Sequence, residues 1–225
     1  MDQITTQRPL NETAEPGLDG PQDRQARILD AAERCFVRSG FHRTTMQDVA
    51  AEAGMSPGNL YRYFRSKDAI VIGLAERDRS HVNADFAELM DAQDFAASFA
   101  ALGRKHFRDE PRERAILCLE IWAEATRNPT VAAVTHDFDR DINARLMDLL
   151  SQAQARGAIP AHVDPGALTI LISTLANGLF VRRAISPTFD PEPEVGALMA
   201  VIDAALAGRI DLPKTGGDAS QESAR

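Results

Sequence analysis

Apolar residues recur at three- and four-residue intervals along nearly the whole chain, and no stretch alternates with the period of two that a half-buried strand shows. Ile28, Leu29, Ala32, Cys35 and Phe36 fall on one helical face, which predicts a first helix over about 23–39 with Gly40 as its C′ residue. Thr44 with Gln47 three residues on reads as a capping box, so a short helix is expected from near Thr45 to Gly54. "SPGN" then supplies Ser56 as N-cap and Pro57 at the first helical position, where its missing N–H is harmless. Leu60 and Phe64, four apart, give this second short helix a buried edge. Ser66 caps a longer helix over about 67–89.

Beyond it, helices are predicted near 93–108, 111–127, 129–156, 164–186 and 191–208. Pro111, Pro129, Pro165 and Pro191 sit near their starts, and Gly157 and Gly208 near ends. The expected fold is all-α, with about nine helices: an N-terminal three-helix head over 22–68 and a helical body over 69–210. The polar, Pro- and Gly-containing ends, 1–21 and 211–225, read as disordered arms. No run of 18 or more apolar residues appears, so no membrane span is expected. The first twenty residues lack the basic start and apolar stretch of a signal peptide, which points to the cytoplasm.

Charge refines this division. The chain carries a formal net charge of −8, yet residues 22–68 hold eight Arg or Lys against six Asp or Glu, a local excess of +2. A weakly basic head on an acidic body suggests that the head alone meets a polyanion. Cys35 and Cys118 lie inside apolar helical patterns with no ligand-spaced partner, and read as buried thiols.

The stretch "GMSPGNLYRYFRSK" (54–67) gathers both tyrosines with three cations. Two short helices joined through Gly54 make a helix-turn-helix, whose second helix enters the DNA major groove. With Leu60 and Phe64 buried, Gly58, Asn59, Tyr61, Arg62 and Tyr63 are left mostly outward. Gly58 permits close backbone approach, Asn59 and Arg62 suit bases or phosphates, and the tyrosine hydroxyls and Lys67 suit phosphate oxygens. The N–H groups at the start near Thr45 offer a second phosphate site.

"ILDAAERCFVRSGFHRTTMQDVAAEAGMSPGNLYRYFRSKDAI" resembles the DNA-binding domain of the tetracycline-repressor (TetR) family. The likeness covers residues 25–72. It rests on I-L-x-A-A-x-x-x-F, G-F-x-x-T-T, D-V-A-x-x-A-G and G-N-L-Y-x-Y-F-x-S-K. The resemblance implies a homodimeric, ligand-responsive repressor that reads a pseudo-palindromic operator, with a C-terminal domain for ligand binding and dimerisation. It implies DNA contacts at Thr45, Pro57, Gly58, Asn59, Tyr61, Arg62, Tyr63 and Lys67, although many relatives carry His where Tyr63 stands.

The body is read less sharply. Glu120 and Glu124 flank the sole Trp, Trp122, and two carboxylates beside an indole suggest a box for a cationic effector; pairing of Glu124 with Arg127 is the plainer reading. "EIWAEATRNPTVAAVTHDFDRDIN" resembles, over a shorter span, the choline-responsive branch of the family. His106, Phe107 and Phe180 are pocket candidates by side-chain type, with core packing as the alternative; the effector is thus cationic or apolar. "HDFDRD" (136–141) lacks a recognised ligand spacing and reads as a salt-bridged face, so no metal and no cofactor is expected. Leu168, Ile172, Leu175, Leu179, Leu198 and Ile202, interleaved with small residues, suit a four-helix dimer interface, with core inside one chain competing. No nucleophilic triad or phosphate-cradling loop argues for an enzyme. The alternative reading is a DNA-bound architectural protein whose body docks a protein partner.

Overall fold

The computed structural model describes residues 20–90, 92 and 94–215, and most of both expected arms lies outside them. Among the described residues all regular structure is helical: α1 (Pro21–Ser39), α2 (Met46–Glu52), α3 (Pro57–Leu60), α4 (Lys67–Met90), α5 (Phe95–Arg104), α6 (Arg112–Ala125), α7 (Pro129–Ala155), α8 (Pro165–Ile185) and α9 (Pro191–Leu206). The helix expected near 93–108 divides, because α5 passes into a π-helical turn over Lys105–Asp109.

Local chemistry sets these boundaries. Asn128, Asp164 and Asp190 each accept first-turn N–H groups, and each stands immediately before a proline that opens a helix. α1 ends at Gly40, whose φ of 81° and ψ of 153° belong to a region almost closed to residues with a Cβ. Gly54, with φ of 66°, turns the chain from α2 into α3.

The expected cap of α2 is displaced by one residue. Thr45, not Thr44, is the N-cap, and its partner is Asp48 rather than Gln47: Thr45 Oγ1 accepts the Asp48 N–H at 3.2 Å, while Asp48 Oδ2 accepts the Thr45 N–H at 2.8 Å. Thr44 is buried, and its hydroxyl donates to the Gly40 carbonyl at 2.8 Å, so it is committed to the preceding turn.

Four residues cannot sustain a helix in isolation. α3 persists because Ser56 caps it and Leu60, fully buried, anchors it among Ile28, Phe36, Val49 and Phe64. That cluster continues into Ile70, Val71 and Leu74 of α4, Leu117 of α6 and Val131 of α7, so the head rests on body helices through apolar contact. A second cluster, built around Leu150, Ile159, Leu168 and Ile202, forms the core of the body. Residues 211–215, expected within the tail, run back over α8, where Thr215 donates its N–H and hydroxyl to the Asp164 carboxylate.

Candidate nucleic-acid interface and effector domain

Two arginines brace the helix-turn-helix from behind. Arg34 and Arg38 of α1 both reach Glu52 of α2, at 2.7 and 3.0 Å, holding that carboxyl below its usual range through hydrogen bonds from both. On the open side Thr45, Pro57, Gly58, Tyr61 and Arg62 are exposed, and Asn59 is partly so. Tyr61 keeps 48% of its surface accessible. Tyr63 is half-buried against the head core and less outward than expected, because Leu60 and Phe64 draw that turn inward.

Lys67 is also placed differently from expectation. Its Nζ donates to the carbonyls of Phe41 at 2.6 Å and His42 at 3.2 Å, and stands 4.5 Å from the centre of the Phe41 ring. Burial pulls its pKa down, against the opposing charges of Glu124 and Asp68. Lys67 thus secures the α1–α2 turn. The phosphate site expected near Thr45 is narrower than foreseen as well, since Asp48 occupies the Thr45 N–H.

Arg43, in the α1–α2 turn, and Arg65, five residues past α3, were not among the expected contacts; both are exposed, and neither makes an ion pair among the described residues. The signal lay in the sequence: each is a cation adjoining a capped helix start.

In the body the postulated cation box does not assemble. Residues two apart on a helix point about 200° from one another, so Glu120 and Glu124 share a face that Trp122 turns away from. Glu120 accepts the Phe41 N–H at 2.9 Å, in the head. Glu124, buried, pairs with Arg127 at 2.7 Å. Trp122 meets Phe180 edge-on at 6.4 Å, and Phe180 meets Phe107 at 6.2 Å, so these three of the candidates do come together. His106 belongs to another group, where its Nε2 and the Lys105 Nζ flank the buried Asp85 carboxylate at 2.8 and 2.5 Å. Burial raises the Asp85 pKa, but the hydrogen bonds from Lys105 and His106 outweigh it and the net shift is downward.

The proposed dimer residues need correction too. Leu168, Ile172, Leu179 and Ile202 are buried inside one chain, and Leu175 and Leu198 pack against the same core. The outward face of α8 instead carries Ile170, Thr174, Asn177, Gly178 and Ile185, with Val201 exposed on α9. By length and mean apolarity alone α8 is long enough to cross a membrane, although Thr, Ser, Asn and two Arg interrupt its apolar residues. Its apolar residues are nevertheless divided between the body core and this outward stripe. A cleft of about 560 Å³ lined by Asn143, Met147, Ser173 and Asn177 opens between α7 and α8. In "HDFDRD", Arg140 pairs with Asp137 and Asp141, and Arg79 reaches Asp141 at 3.5 Å. Among the described residues no group of three or more His, Cys, Asp or Glu is arranged to hold a metal ion.

A braced helix-turn-helix whose exposed second helix runs into the cationic stretch Arg62–Arg65, seated on a helical body, defines a DNA-binding protein with an appended regulatory domain. The family model for bacterial regulatory proteins of the tetR family matches residues 28–74, and that for the C-terminal domain of BetI-type transcriptional repressors matches residues 95–207. The HTH-type transcriptional regulator UidR of Escherichia coli K12 is 30% identical over 162 residues, spanning 70% of this chain and 80% of its own. BetI of Burkholderia thailandensis is 28% identical over 203 residues, spanning 86% and 99%. Salmonella enterica GusR superposes with a TM-score of 0.70 at 29% identity, over 84% of this chain and 98% of its own. A regulator from Saccharomonospora viridis in complex with choline, at 22% identity and a TM-score of 0.68 over 81% and 96%, shares the fold. The chain belongs to the tetR family of transcriptional regulators and carries a BetI-type C-terminal domain.

Proposed function

We propose that the protein is a homodimeric repressor that leaves a pseudo-palindromic operator when a small molecule binds its body. The observation that carries the reading is the set of three exposed arginines, Arg43, Arg62 and Arg65, without ion pairs among the described residues, all carried by the helix-turn-helix head of an acidic protein. Arg62, Asn59 and Tyr61 face the groove; Arg43 and Arg65 meet phosphates, whereas both donors of Thr45 are taken by Asp48. The outward stripe of α8, together with Val201 of α9, supports a two-fold interface, which as an obligate contact would bury on the order of 2,000 Å². Two heads held this way address half-sites about 34 Å apart.

The effector meets the rings of Phe107, Trp122 and Phe180. An apolar body suits them better than a cation, because Glu120, Glu124 and Asp85 are each engaged elsewhere. Release requires the effector to bind the non-DNA-binding state more tightly than the DNA-binding one.

A footprint on the DNA flanking the protein's own gene tests the reading, run with competitor DNA at two salt concentrations because phosphate contacts alone give salt-sensitive binding. A protected pseudo-palindrome supports it; uniform, unselective binding refutes it. Because Trp122 is the sole tryptophan, intrinsic fluorescence in a small-molecule screen reports on the ring cluster directly. A compound that quenches it and also frees the protected DNA identifies the effector class.

A further inference from the structure

We propose that Glu120 is a positioning residue for DNA binding: carried on a body helix, its carboxylate fixes the α1–α2 turn from which Arg43 reaches DNA. The proposal rests on the assignment of that turn and α3 to the DNA surface. Its basis is a single hydrogen bond, Phe41 N–H to Glu120 Oε2 at 2.9 Å, joining residues 79 positions apart in sequence. The same peptide neighbourhood is gripped from the other side, where Lys67 takes the Phe41 and His42 carbonyls. Donor and acceptor groups of Phe41 are therefore both held by charged side chains, one from α6 and one from the first residue of α4. Arg43 follows two residues later, so little slack separates the gripped residue from the DNA-facing one.

Gly40 supplies an independent sign that the turn is shaped around this carboxylate. A Cβ built there would stand 3.2 Å from Glu120 Oε2, so the close approach depends on the missing side chain as well as on the backbone angle. Glu120 is not needed to attach α6 to the head. Leu117, on the same helix, is buried in the head core, and Arg114 reaches Glu33 of α1 at 3.0 Å and Asp78 of α4 at 2.5 Å. Its carboxylate therefore sets the turn's geometry, while neighbouring contacts hold the helices together.

The position of α6 gives this bond regulatory weight. Trp122, two residues on and turned to the opposite side, packs against Phe180. A displacement of α6 by about 1 Å, driven from the ring side, takes a 2.9 Å hydrogen bond beyond its effective range and frees the turn.

The test uses full-length protein. Duplexes are first enriched from a random pool by the wild-type protein; affinities for an enriched and a scrambled duplex are then compared for wild type, Glu120→Ala and Glu120→Gln. The ratio of the two affinities is the readout, because removing a negative charge raises binding to any DNA and cancels in the ratio. Glu120→Ala is expected to lower the ratio about tenfold, the scale of one hydrogen bond to a charged group. Glu120→Gln is expected to stay within about twofold, since its amide oxygen still accepts the Phe41 N–H. Hydrogen exchange of the Phe41 amide should accelerate in Glu120→Ala, stay protected in Glu120→Gln, and leave core amides such as Leu60 unchanged. An unchanged ratio in Glu120→Ala overturns the proposal, as does an equal loss in both variants. If Glu120→Ala fails to fold, Glu120→Asp takes its place, one methylene short of the Phe41 N–H: lost protection at Phe41 with a lowered ratio supports the proposal, and an unchanged ratio overturns it. If wild type enriches no sequence, the DNA-binding assignment itself falls and the positioning role with it.

Discussion

Replacing Gly40 by alanine should destabilise the protein by about 2–4 kcal/mol, and the figure follows from three terms. Holding a residue with a Cβ at φ 81° and ψ 153° costs about 1–3 kcal/mol. The new Cβ, 3.2 Å from Glu120 Oε2, pushes the carboxylate from the Phe41 N–H, and loss of a hydrogen bond to a charged group costs up to about 3 kcal/mol. Against these, alanine stiffens the unfolded chain and recovers about 0.4–1 kcal/mol. For a chain of this size the net effect corresponds to a fall in Tm of roughly 5–15 °C. Urea and thermal unfolding of wild type and Gly40→Ala would measure it, at matched protein concentration because dimerisation contributes to apparent stability. An unchanged midpoint would refute the reasoning: the turn would have to relax into an ordinary conformation without loss.

Gly58→Ala offers a contrast, since nothing lies within 4 Å of the position of its Cβ and the glycine sits inside a short helix. Stability should be unchanged or slightly higher, while affinity for an enriched duplex falls about tenfold, the scale of one good base contact; equal affinity would remove the close backbone approach from the reading. Ile170→Glu, at a position 60% exposed, should leave the helical content intact and shift sedimentation towards monomer, and a persistent dimer would move the interface elsewhere. Asp85→Asn should destabilise by about 1–3 kcal/mol at neutral pH. Because the folded Asp85 pKa is lowered, its contribution is complete above the unfolded value of about 3.9 and lost as pH falls through the folded one. The wild-type advantage in urea should therefore hold from pH 7 to about 5 and close in stronger acid.

Helices were legible where the chain itself carries both start signals. Asn128–Pro129, Asp164–Pro165 and Asp190–Pro191 each put a cap beside a proline, and all three open helices where expected. At "TTMQD" two threonines compete for one role, and the choice of Asp48 over Gln47 depends on where Thr44 is already bonded, which the sequence does not display. The opposition of Trp122 to Glu120 and Glu124 was available from helical angles alone; their partners were not. Glu120 finds Phe41 through the folding of 79 intervening residues. Apolar spacing on α8 could not separate the core side from the outward side, because Ile170 and Ile185 outside resemble Leu168 and Ile172 inside. The true outward face, with Thr174 and Asn177 among its members, is the less apolar of the two. Lys67 was expected at a phosphate from its charge and from the family resemblance, whereas its reach of several bonds lets it turn back onto the preceding loop.

The seam between head and body has a practical corollary for building chimeric regulators. Beneath its apolar contacts the polar joints among the described residues include Glu120 to the Phe41 amide, Arg114 to Glu33, Arg77 to Asp30 and Glu33, and Asn128 to Asp68 at 3.1 Å. The first addresses a main-chain group, so any transplanted head with glycine at position 40 can satisfy it whatever its side chains. The others address specific carboxylates, and a donor head lacking them would leave Arg77, Arg114 and Asn128 facing the wrong surface. Swaps made just after Asp68 should succeed or fail on the acidic positions 30, 33 and 68, and foreign recognition helices can then be exchanged without redesigning the body.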